Sequence, residues 1–250
     1  MMSDGAENVP MFAPDTGEVV HVPRDYDDTQ SAVVKKALML IHGLCITCVV
    51  LVCWYAVQKF GLDWSYKSKG TFGWHAVFMT LGFVVCYVQS ALIYRTLTNF
   101  PHKSRKVIHM TLHALALAFV VGGLLAIFKF HKDLNIPHLF SLHSWMGIIT
   151  VALFIVQYIA AFAVFWKPRF SDTVRAAFLP VHTRTGIIVL LACVTSTVCM
   201  GVMERLTFDK DCKQDGTQLS NGICKVANAY ALVVALATVL TSVVLLTNKN

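Results

Sequence analysis

Six long apolar runs, separated by short polar stretches, set the pattern of the chain. They fall at about residues 37–58, 72–94, 107–128, 141–166, 180–203 and 227–247. Each has the length, roughly 20 residues, that a helix needs to cross a bilayer. Backbone N–H and C=O groups in lipid must find partners within their own segment, so the runs are predicted as helices. Nothing remains for a second soluble domain. The expected fold is all-α integral membrane with six transmembrane helices over residues 35–247. A disordered cytosolic tail is expected over 1–34 and a short cytosolic tail over 248–250. The first stretch is polar and acidic, with Asp15, Glu18, Asp25, Asp27 and Asp28, and such a composition buries too little apolar surface to order itself. It also lacks the apolar core of a signal peptide, so the first span is expected to serve as an uncleaved insertion signal.

Composition sharpens this picture. Residues are 56% hydrophobic and only 14% charged, against about 25% charged in soluble domains. The net charge of +7 sits in clusters between the apolar runs and not in a stripe, which excludes a nucleic-acid binder and fits membrane-flanking loops. The 95–106 loop holds Arg95, Lys103, Arg105 and Lys106, the 167–179 loop holds Lys167, Arg169 and Arg175, and Lys35 and Lys36 precede the first span. The positive-inside rule puts these segments and both termini in the cytosol. Lys59, Lys67 and Lys69 in the 59–71 loop argue mildly the other way. Six of the eight cysteines lie in apolar runs and read as small buried hydrophobes. Cys212 and Cys224 share one polar loop on the non-cytosolic side and form a disulfide candidate there.

Ten histidines are many for so apolar a chain, and ionisable groups inside a membrane are costly and usually functional. Four occupy equivalent places near the starts of consecutive spans. They are His75, His109, His143 and His182, each separated from the next by one span plus one loop. Helices alternate direction, so His75 and His143 share the outer level, and His109 and His182 share the cytosolic level. Ligands on facing helices of a four-helix arrangement build cofactor sites in its core. Structural zinc wants four ligands, and no cysteine or carboxylate stands at these depths to complete a set. Haem iron needs only two axial ligands, and its macrocycle supplies apolar surface. Gly147 and Gly186, one turn after His143 and His182, and Gly82, two turns after His75, are small neighbours for a flat ring. His113 shares a face with His109, one turn deeper, and is a weaker ligand candidate. His42 is expected to pack between helices, and His21, His102 and His138 to be solvated.

The motifs FGWH (Phe72–His75), KVIH (Lys106–His109), SLHSW (Ser141–Trp145) and the run Arg175–His182, in this order and spacing, resemble the cytochrome b561 family of ascorbate-dependent transmembrane oxidoreductases. The resemblance covers roughly residues 35–247. It implies a central four-helix bundle of spans two to five holding two b haems, with a flanking helix on either side. His75 and His143 would ligate the outer haem, and His109 and His182 the cytosolic one. Cytosolic ascorbate would give electrons to monodehydroascorbate or ferric chelates on the far side. Lys103, Lys106 and Arg175 match the family's anion site most closely, Arg95 and Arg184 are nearby candidates for ascorbate or haem propionates, and His131 is a candidate contact of the outer acceptor. Phe140 stands where the family usually has tyrosine. Relatives are homodimers, and vesicle, lysosome and plasma membrane all suit such a protein. Two other readings compete. One is a transporter whose histidines pass protons or bind a metal directly. The other is a haem-bearing membrane anchor of a larger complex.

Overall fold

The computed structural model describes residues 8–12, 19–208, 212 and 222–247. Its elements are β1 (Asn8–Phe12), β2 (Val19–Pro23), α1 (Arg24–Lys59), α2 (Gly70–Met79), α3 (Tyr87–Thr96), α4 (His102–Leu134), α5 (Leu142–Phe165), α6 (Asp172–Ile188), α7 (Thr195–Phe208) and α8 (Gly222–Leu246). A π-helical stretch, Thr80–Cys86, joins α2 to α3 without a break, and a second, Val189–Val194, joins α6 to α7. Among the described residues this makes six helices long and apolar enough to cross a membrane. The protein is a six-span, all-α membrane protein.

Most of the helices extend past their apolar runs into the polar loops, and caps set several of the helix ends. α5 starts at a capping box in which Ser141 and Ser144 each accept the other's backbone N–H, at 3.3 and 3.2 Å. α4 stops at Asn135, whose left-handed backbone (φ 54°) turns its N–H toward the last carbonyls. α6 begins two turns before Pro180, where the sequence pattern placed the start of the fifth span. Ser171 accepts the Val174 N–H and starts the helix there, leaving Pro180 inside it.

Within the stretch 1–34 the described residues form two short strands and the start of α1. β1 and β2 pair antiparallel, Asn8 opposite Pro23, in segments whose β-branched valines (Val9, Val19, Val20, Val22) suit an extended backbone. α1 then runs from Arg24 into the first span, since no glycine or proline interrupts residues 24–36. The expected tail at 248–250 lies outside the described residues.

Spans two to five pack into a four-helix bundle: α2 and α3 against α4, and α5 against α6 and α7. The two π stretches touch each other at its middle. α1 and α8 do not flank this bundle on either side. They pack along one another and lean together on the second and fifth spans. α1 buries one stripe at three- and four-residue spacing, including Leu38, Ile41, Cys45, Cys48, Val52 and Ala56, while Met39, Ile46 and Val50 face outward. Both faces are apolar, so hydrophobicity cannot choose between them. Close packing of small side chains does, because lipid offers helices no hydrophobic drive to associate. Hydroxyl bonds link the helices further: Thr80 to Tyr230 at 2.7 Å, Thr195 to Thr238 at 2.8 Å and Thr150 to Thr197 at 3.1 Å. At about 0.6 kcal/mol each, they fix register more than they drive assembly. Cys212 and Cys224 are joined by a disulfide, with Cα atoms 5.9 Å apart, at the start of α8.

Candidate functional site

Each of the four predicted histidines faces its predicted partner. His75 on α2 and His143 on α5 have ring centroids 6.3 Å apart with planes at 87°. His109 on α4 and His182 on α6 stand 6.2 Å apart at 81°. An imidazole nitrogen sits about 2 Å from a first-row metal and roughly 1 Å from its own ring centroid, so two imidazoles sharing one iron place their centroids about 6 Å apart. Both pairs meet that requirement.

Three of the four rings share one tautomer. His75 Nδ1–H donates to the Gly123 carbonyl at 3.0 Å, His109 Nδ1–H to the Ser90 carbonyl at 2.8 Å, and His143 Nδ1–H to the Thr197 carbonyl at 2.9 Å. A carbonyl only accepts, so the proton lies on Nδ1 and the Nε2 lone pair is left for a metal, the usual orientation of metal-binding histidine. His182 is the exception: its Nδ1 is buried with no hydrogen-bond partner, and the neighbouring contact is from Gln157 Nε2 to the His182 carbonyl at 3.1 Å. Ser90 Oγ also donates to the His109 carbonyl at 2.7 Å, closing a two-way clasp. Among the described residues no group of three or more His, Cys, Asp and Glu stands ready for a bare ion. Two facing imidazoles at each level fit an iron that brings its other ligands with it.

Around His75 and His143 lies a cavity of about 530 Å³, within the range of roughly 300–1,000 Å³ for cofactor sites. Phe72, Phe83 and Phe128 line its apolar part, and Glu204, Arg205 and Tyr230 are among its polar groups. His131 stands in its wall, as does Phe140. His138, exposed as expected, also borders it, which the sequence did not point to; it stacks on His131 with centroids 5.4 Å apart. Gly201 is a second residue the sequence did not point to: a Cβ there would strike the His143 ring. Of the three glycines expected beside a flat ring, Gly147 lines this cavity. Gly82 instead admits Ala116 and Val120 of α4, and Gly186 admits the Gln157 side chain.

At the other level Tyr94, Phe165 and Phe178 surround His109 and His182. His113 sits one turn inward, its ring centroid 4.7 Å from that of His109, and its Nδ1 is buried without a partner. The predicted cations divide. Lys106 donates to the Phe165 carbonyl at 2.5 Å and lies over the Trp166 ring, close enough to Arg169 and Arg175 for their like charges to oppose one another. Arg175 pairs with Asp172. Lys103 and Arg184 are exposed. Arg95 turns away and donates to the Leu245 and Thr247 carbonyls at the end of α8.

The sequence is similar to those of known proteins. The family model for eukaryotic cytochrome b561 matches residues 74–209, a segment containing all four histidines. A probable ascorbate-specific transmembrane electron transporter of Oryza sativa subsp. japonica is 35% identical over 169 residues, 67% of this chain and 72% of that one. A lysosomal membrane ascorbate-dependent ferrireductase of Mus musculus is 38% identical over 173 residues, 68% of this chain and 71% of its own. A plasma membrane ascorbate-dependent reductase of Xenopus tropicalis is 34% identical over 177 residues, 70% of this chain and 60% of its own.

Proposed function

The chain belongs to the cytochrome b561 family, and from that premise we propose that it carries single electrons from cytosolic ascorbate across the membrane to an acceptor on the far side, monodehydroascorbate or a ferric chelate. It is a transmembrane oxidoreductase. The observation that carries the reading is the pair of facing imidazole couples, 6.3 and 6.2 Å between centroids, three of their four rings oriented by backbone carbonyls. His75 with His143, and His109 with His182, would hold two b haems. Bound haem would supply a one-electron iron couple at each level, suited to electron transfer.

The chain's own residues do the rest. Lys106, Arg169 and Arg175 concentrate positive charge beside the cytosolic pair, which draws in the ascorbate monoanion. Ascorbate releases a proton with its electron, and the open cytosolic face takes it up. On the outer side His131, His138 and Glu204 border the cavity, where they can meet an acceptor and supply the proton that monodehydroascorbate needs with its electron. The apolar wall keeps bulk water from the interior. A membrane potential positive on the far side would favour the transfer by about 2.3 kcal/mol per electron at 100 mV.

The test is a reduced-minus-oxidised visible spectrum of the purified protein, followed by addition of ascorbate. Two b-type haems per chain that pass from oxidised to reduced on ascorbate addition are expected. A colourless protein would favour the transporter reading, and a coloured one inert to ascorbate the membrane-anchor reading.

A further inference from the structure

Each helix of the bundle does two jobs at two depths. Counting each histidine as position i, α4 offers His109 at the cytosolic level and, at i+14, the Gly123 carbonyl that orients His75 at the outer level. α5 offers His143 at the outer level and, again at i+14, Gln157 against the backbone of His182. The other two spans reciprocate with a longer step. His75 is followed at i+15 by Ser90, which holds His109, and His182 at i+15 by Thr197, which holds His143.

The two steps are not equivalent on an α-helix. At about 100° per residue, the i+14 step ends about 40° short of four turns and the i+15 step about 60° beyond them. A regular helix with the longer step would therefore turn its second group about 100° away from the neighbour it serves. The i+15 steps are the two that cross a π-helical stretch, and the i+14 steps run through regular helix. In the π stretches the bonds reach one residue further: the Tyr87 N–H goes to the Gly82 carbonyl and the Thr195 N–H to the Leu190 carbonyl, five back in each case. A π turn holds one residue more than an α turn, so an i+15 step through it ends on the face that an i+14 step reaches without it.

We propose that the π stretches Thr80–Cys86 and Val189–Val194 are register devices that let the second and fifth spans present a ligand at one level and an orienting carbonyl at the other. Ser90, Gly123 and Thr197 are then positioning residues acting through their backbones. This rests on the two-haem reading, and it makes an unusual demand: removing one residue from a π stretch leaves a regular helix in the same register, while removing one from α5 swings its ends apart.

The experiment compares deletion of Leu191, in the second π stretch, with deletion of Leu153, in α5, in the purified full-length protein. The two side chains are alike in exposure, 38% and 39%, so loss of the side chain itself does not separate them. Haem per chain and the low-spin electron paramagnetic resonance signal of each site are read. The Leu191 deletion is expected to keep two haems with both signals, and the Leu153 deletion to lose one. Deletion of Leu81, in the first π stretch, repeats the demand independently. Equal loss or equal retention of haem in the π and α5 deletions, or failure of both π deletions to assemble, overturns the proposal. Fewer than two haems in the undeleted protein overturns the two-haem reading instead.

Discussion

The His143 ring lies where a side chain at Gly201 would be: a Cβ on Gly201 would come within 2.8 Å of His143 Cε1 and 2.9 Å of its Nδ1. The ring reaches that place to donate to the Thr197 carbonyl one turn earlier on α7. Gly201→Ala is expected to push the imidazole off α7 and break that bond, a loss of about 1 kcal/mol. The displaced ring also no longer faces His75. The variant should hold one haem per chain, with the cytosolic resonance signal unchanged. Two intact haems in Gly201→Ala would show that the outer ligand is not positioned this way.

His75→Ala and His182→Ala test the pairing itself. Each leaves one imidazole of a couple without its partner, at opposite faces. Each variant should retain one haem, and the surviving signals should differ, since His75→Ala spares the site between His109 and His182. Identical spectra from the two variants would contradict two separate sites.

Much of this was legible in the sequence, and the boundary is a physical one. The spans are visible because a bilayer demands length and apolarity together. The four paired histidines are visible because a histidine in lipid is costly enough to need a reason. What orients them is not visible: Gly123 and Thr197 act through carbonyls that every residue carries, and a π stretch such as Thr80–Cys86 leaves no mark in composition. Gly82 was misassigned because a glycine admits whatever lies beside it, and here that is α4. That Arg95 donates to the Leu245 and Thr247 carbonyls could not be read either, because only the fold brings the end of α8 to it. His138 is exposed, as its polar segment suggests, and only the fold shows that its loop borders this cavity.

Lys106→Ala is expected to impair ascorbate oxidation and spare both haems. A unit charge about 4 Å from an anion contributes about 1 kcal/mol even in water, roughly a fivefold change in affinity. KM for ascorbate should therefore rise about five- to tenfold, and the difference from wild type should shrink as salt screens the site. Stopped-flow reduction of the oxidised protein at two ionic strengths reads both effects. Loss of the cytosolic haem would instead assign Lys106 to structure, through its bond to the Phe165 carbonyl.

Cys212→Ser should lower stability without touching either imidazole couple. The disulfide closes a sequence separation of 12, which in the chain-entropy view is worth about 3 kcal/mol, and it anchors the start of α8 beside the outer cavity. The thermal midpoint should fall while the haem count holds. The same bond reports orientation. If both termini are cytosolic, the loop that carries it faces the other side, so in sealed, cytosol-side-out vesicles an impermeant reductant and thiol probe leave Cys212 and Cys224 unlabelled until the membrane is opened. Labelling in the sealed vesicles would invert the topology and move the cation cluster of Lys106 and Arg175 to the wrong face for cytosolic ascorbate.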